Sequence, residues 1–273
     1  MENQLLEEYI KDLDTVKEKI KPFLNIVDSI DPDYLFLVDD AHLESISNPA
    51  YHFPVYYLFL LRTSIMYLGL IDSVLFEIKK DISEYKEVIG RLKSRKKQES
   101  MGAIFELYVI GRMKNTYLDQ CEFFPKTKAG RPDCAIKAGK DQLFIEVSTM
   151  GQTNTDNTNQ DDDIRQGGGV HSRDPYHDKI RIESKVLEKL EQLESDKHNM
   201  LFICLSDIFP LGRPIEWALN NLRDSGDLNK VSHVFIFKFN GVEFGLDRCF
   251  DGRGVPIGQN DIDKIKSLFE IPN

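Results

Sequence analysis

Apolar residues near the start of the chain recur at three- and four-residue steps, Leu6, Ile10, Leu13, Val16 and Ile20. That spacing marks one buried face of a helix. Pro22 disrupts the helix. An Asp31-Pro32-Asp33 turn leads to a short apolar run, Leu35 to Val38, which fits a strand or a helix. From Pro54 to Lys80 a long, aromatic-rich stretch reads as helical, with a break expected near Gly69. The run from Gly90 to Lys97 holds five basic residues and no acid. It reads either as a solvated helix end or as an arm that contacts phosphates. Residues 1–97 are thus expected to form a mainly helical N-terminal region.

Beyond residue 98 the texture changes. Glu99 to Lys114 reads as a helix, followed by three strand candidates, Cys121 to Pro125, Pro132 to Ile136 and Gln142 to Ser148. Turn material separates them, such as Lys128-Ala129-Gly130 and Ala138-Gly139-Lys140. Residues 151–175 form a polar stretch that cannot bury apolar area and reads as a loop. A helix is expected from Asp178 to Ser195, then strands at Met200 to Ser206, Val231 to Phe239 and Glu243 to Leu246. The order of helices and strands predicts an α/β core over residues 98–273, a mixed sheet flanked by helices.

Composition narrows the function. The 273 residues are 41% hydrophobic and 10% aromatic, enough for a sizeable core. With 35 basic and 45 acidic residues the net charge is −10, so contact with nucleic acid has to come from a local patch. Four scattered cysteines lack metal-type spacing and suit a reducing, cytoplasmic setting. The acidic, amphipathic start shows no signal peptide. Val55 to Ile71 contains Arg62 and falls short of the ~20 apolar residues of a membrane span, so no membrane partner is expected. The phosphate loop GxxxxGK[ST], HExxH, GxSxG and a strand followed by GxGxxG are all absent. The glycine cluster Gly252, Gly254 and Gly258, with Pro256 inside it, reads as a turn.

One constellation stands out. Pro132-Asp133 opens an apolar strand, and Glu146 sits within Leu143-Phe144-Ile145-Glu146-Val147. A carboxylate inside such a run is costly to bury unless it is paired or binds a cation. Adjacent strands of a hairpin bring Asp133 and Glu146 side by side, as a hard-oxygen pair suited to Mg²⁺. Upstream, Glu106 interrupts the apolar helix Met101 to Val109, with Gly102 one turn earlier on the same face.

A glutamate on a helix, then Pro132-Asp133, then Glu146-Val147-Ser148 resembles the PD-(D/E)xK nuclease superfamily over about residues 99–206. The resemblance implies a restriction-endonuclease-like core in which Glu106, Asp133 and Glu146 hold Mg²⁺, with Mn²⁺ as the alternative ion. It also implies a lysine where this chain has Ser148, and serine supplies no cation. The resemblance also allows that lysine to come from the following helix. Here Lys189 falls about 20° from Ile182 on the helical wheel, at the edge of the apolar stripe Ile182, Val186, Leu190 and Leu193. Lys185 and Gln192 continue the same flank, and Lys189 to Leu193 resembles a KxxQL pattern of that helix. Lysine stems that snorkel over a core produce the same spacing.

The leading expectation is therefore a metal-dependent endonuclease cutting DNA, of restriction or defence type. Asp133, Glu146, Lys189 or Lys185, Ser148 and Gln192 form the site, and Lys126, Lys128 and Arg131 are candidate backbone contacts. A homodimer suits double-strand cutting. The alternative is a catalytically inactive nuclease-fold module that binds nucleic acid or protein, favoured by Ser148. A third is a helical regulator with a structural α/β part, favoured by the overall acidity.

Overall fold

The computed structural model describes residues 14–29, 63–94, 97–117, 121–123, 132–138, 140–150, 175–205, 212–239 and 244–270, together with residues 11 and 60. Leu6, Ile10 and Leu13, the run Leu35 to Val38, the basic positions Arg95 and Lys96, the candidates Lys126, Lys128 and Arg131, and the polar stretch up to residue 174 lie outside the described residues. Two compact units divide the chain between Gly111 and Arg112.

The first unit is helical. Residues 14–20 are helical and bury Val16 and Ile20. Helices α1 (Leu24–Ser29), α2 (Ile65–Ile78) and α3 (Ile82–Leu92) follow, then most of α4 (Lys97–Tyr117). Tyr67, Leu68, Ile71, Val74, Leu75 and Ile78 make the buried stripe of α2. Gly69 does not break it: a Cβ there would meet Phe23 at an ordinary 3.7 Å. A lone helical glycine costs only about 1 kcal/mol, which the stripe outweighs. Asp72 of α2 caps α1 from a distance, accepting the N–H groups of Asn25 at 2.8 Å and Ile26 at 3.0 Å. Asp81 caps α3 through the N–H groups of Ser83 and Glu84. Among the described residues no helix is long and apolar enough to cross a membrane.

The second unit is an α/β layer structure around a six-stranded mixed sheet. Strands β1 (Cys121–Phe123), β2 (Cys134–Ala138), β3 (Asp141–Met150), β4 (His198–Leu205), β5 (His233–Phe239) and β6 (Phe244–Asp251) lie side by side in chain order. β3, β4 and β5 are parallel, and all other neighbours antiparallel. Parallel neighbours need crossovers, and α5 (Pro175–Leu190) and α6 (Gly212–Asp224) supply them. Both pack on one face, where Ile182, Val186 and Leu190 meet Leu201, Ile203, Val234 and Ile236. On the opposite face Phe202 and Phe237 meet Phe269 of α7 (Gln259–Phe269) edge-on, at 5.7 and 5.1 Å between ring centres.

Several boundaries depart from the sequence reading, the ends of α5 and β6 among them. Helix α5 stops at Leu190 rather than Ser195, because the Lys230 Nζ donates to the Leu190 carbonyl and Asn199 Nδ2 takes the Glu194 carbonyl. Strand β6 runs to Asp251, and α7 follows it. Between them, Gly252 and Gly254 donate to the Ser232 and Val231 carbonyls, at 2.7 and 2.8 Å.

Candidate active site

Cys134 pairs with Ile145 across β2 and β3, so one step further Asp133 stands level with Glu146. On the other flank, Glu146 pairs with Leu201 and Ser148 with Ile203, both members of the core beneath α5. Strand alternation then puts Asp133, Glu146 and Ser148 on the α5 side of the sheet. All three are buried. The Lys189 ammonium, on the last turn of α5, lies 2.5 Å from Glu146 Oε1. Its side chain is 12% exposed and that of Glu146 1%. A buried acid in this position is tolerated because the amine compensates it. Asp133 Oδ2 accepts the Val147 N–H at 2.7 Å, which fixes the direction of its carboxylate.

Lys185, one turn earlier, spends its ammonium on both oxygens of Glu188 at 3.0 Å. Gln192 lies beyond the end of α5, where its backbone N–H donates to the Lys189 carbonyl. Glu106 belongs to the first unit, and Arg91 grips it there with two bonds of 2.9 and 3.2 Å. Arg91 thus turns inward from the run that reads as a basic arm. Its signal in the sequence is Glu87, one helical turn earlier, with which it also pairs.

That cluster contains Glu84, 2% exposed, whose Oε2 has no hydrogen-bond partner among the described residues. Burial, then the charges of Glu106, Glu87 and Asp81, push its carboxyl from 4.5 up to about 7, against the pull of Arg91. The folded chain keeps this proton while the unfolded chain releases it. The stability contribution is therefore full below pH 4.5 and lost as pH rises toward 7. Urea titrations should show a fall of about 3 kcal/mol across that window. Glu84→Gln should flatten the profile and be the more stable protein at pH 8.

Among the described residues no group of three or more histidine, cysteine, aspartate or glutamate side chains is placed to hold a metal ion. Mg²⁺ does not need a closed cage: one or two carboxylates suffice when water and substrate phosphate complete its octahedron. Asp133 and Glu146 offer that hard-oxygen pair, with the Ser148 hydroxyl on the same side. No protein-family model, curated protein or solved structure matches the chain.

Proposed function

We propose that this chain is a metal-dependent endonuclease of the PD-(D/E)xK type, with the second unit as a restriction-endonuclease-like core that hydrolyses phosphodiester bonds in DNA. The observation that carries the reading is the contact of Lys189 with Glu146. An amine from the following helix stands at the acid of the (D/E)xK strand, on the same side of the sheet as Asp133, where Ser148 provides no charge. Asp133 and Glu146 would hold Mg²⁺ or Mn²⁺. Such an ion supplies a water of lowered pKa and offsets the charge that gathers on the phosphate. The Val147 N–H keeps Asp133 aimed. Lys189 orients the attacking water and faces the phosphate oxygens with its ammonium group. Asp133 and Glu146 are the acids this reading uses; Glu106 pairs with Arg91 in the first unit.

The test is incubation of the purified chain with plasmid and linear DNA in Mg²⁺ or Mn²⁺. Cleavage is expected, to be stopped by chelation, to persist in Ser148→Ala, and to vanish in Asp133→Asn and Glu146→Gln with helical content retained. Absence of cleavage with either ion overturns the reading. Ser148 favours one rival, a nuclease fold that binds without cutting. That rival gains if DNA is bound equally by the parent and Asp133→Asn, and cut by neither.

A further inference from the structure

We infer that Lys137, at the tip of the β2–β3 hairpin, seats a backbone phosphate of bound DNA that flanks the one being cut. Its place in the reaction rests on the nuclease reading; its contact with DNA is measured apart from cleavage. In the β2–β3 register Lys137 faces Gln142, Ala135 faces Phe144 and Cys134 faces Ile145. Strand alternation therefore puts Lys137 and Gln142 on the face that carries Asp133 and Glu146. Burial falls off along that face in one direction. Asp133, Ala135, Glu146 and Ser148 are buried, Phe144 is half-buried, and Lys137 and Gln142 are exposed. Among the described residues the face thus opens toward the hairpin turn, and a long polymer approaches the two acids from that side.

The charge at this opening is available. In the second unit Lys179, Lys185, Lys189, Lys197, Lys238 and Arg248 each pair with a carboxylate. Lys137 pairs with none among the described residues. Glu122 of β1 faces Ala135, on the same side of the sheet, and forms no ion pair with Lys137. The acid of the turn, Asp141, faces Ala138 on the opposite side and lies 3.9 Å from His198. In a chain of net charge −10, contact with DNA needs a local cation, and this one shares the face of the acids. A lysine holds phosphate as a point charge on a flexible stem and fixes the position of the duplex without reading its sequence. Four residues of strand, about 13 Å, separate Lys137 from Asp133. The phosphate it seats is therefore not the one at the acids, and holding it aligns the backbone across them.

The experiment follows the fluorescence anisotropy of a labelled DNA duplex against salt, in chelator so that nothing is cut. It compares the full chain with Lys137→Ala, Lys137→Arg and Lys266→Ala. Lys137→Ala should bind about fivefold more weakly at about 0.15 M salt, and its slope of log affinity against log salt should be shallower by about 0.9, the share of one phosphate. Lys137→Arg should keep both values. Lys266→Ala, on α7 across the sheet, should match the parent. In Mg²⁺, Lys137→Ala should raise KM about fivefold and leave the cleavage rate at saturating DNA within about twofold of the parent. Unchanged affinity and slope in Lys137→Ala overturn the inference, as does a parent chain that binds no duplex. A saturated rate about tenfold lower with KM unchanged overturns it too, because the lysine would then act in the chemical step. If the parent binds with the expected salt dependence but cuts with neither Mg²⁺ nor Mn²⁺, the nuclease reading falls and the phosphate seat stands.

Discussion

Lys189→Met is expected to slow metal-dependent DNA cleavage by about 10²–10³-fold, the usual loss when one pre-placed electrostatic contact to a transition state is removed. The same change strips Glu146, 1% exposed, of the ammonium 2.5 Å away. Breaking a buried pair from one side costs about 3–5 kcal/mol, so the variant should also melt early. The two effects separate by design. Pairing Lys189→Met with Glu146→Gln removes the stranded charge and should restore most of the stability while cleavage stays lost. Lys189→Arg keeps the charge in a wider, flatter head group and should recover stability better than rate. Single-turnover rates belong at a temperature where circular dichroism shows each variant folded. A normal rate for folded Lys189→Met would mean that the lysine only neutralises its partner.

Gly252→Ala should be the most damaging small substitution in the second unit. A Cβ at that position would lie 2.1 Å from the Val231 carbonyl oxygen and 3.1 Å from that of Leu228. These neighbours are backbone, so no rotamer change relieves the clash; the turn has to move. It would also lose the bond from the Gly252 N–H to Ser232. Overpacking of this kind exceeds the ordinary range for added methylenes, and about 3 kcal/mol or more is expected in chemical denaturation. Gly90→Ala is the control: nothing lies within 4 Å of its Cβ, and α3 should keep or gain stability.

The parts of this architecture that local pattern governs could be read from the chain. Alternation and the turn at Ala138-Gly139-Lys140 announce the β2–β3 pair, and pairing alone aligns Asp133 with Glu146. The helical period of Ile182, Val186 and Leu190 sets which way Lys189 leaves α5. What escaped the pattern depends on partners remote in sequence. The end of α5 is fixed by Lys230, 40 residues on, a contact no window of neighbours contains. Arg91 looks like one charge among five until Glu106 is brought to it. The break expected at Gly69 assumed that propensity decides, whereas buried neighbours carry α2 through. Helix α7 carries a legible signal, Ile262, Ile265 and Phe269 at three- and four-residue steps, which the reading of the chain passed over.

Strand order that follows chain order has a consequence for biosynthesis. Each strand finds its partner next in line, so the sheet can grow in the direction of translation, with little delay for distant segments. The hairpin with its two acids leaves the ribosome first, and the balancing amine emerges only with the helix that precedes β4. A nascent chain halted after β3 would therefore carry an uncompensated negative pocket, and ribosome-stalled lengths on either side of residue 189 should differ sharply in protease resistance.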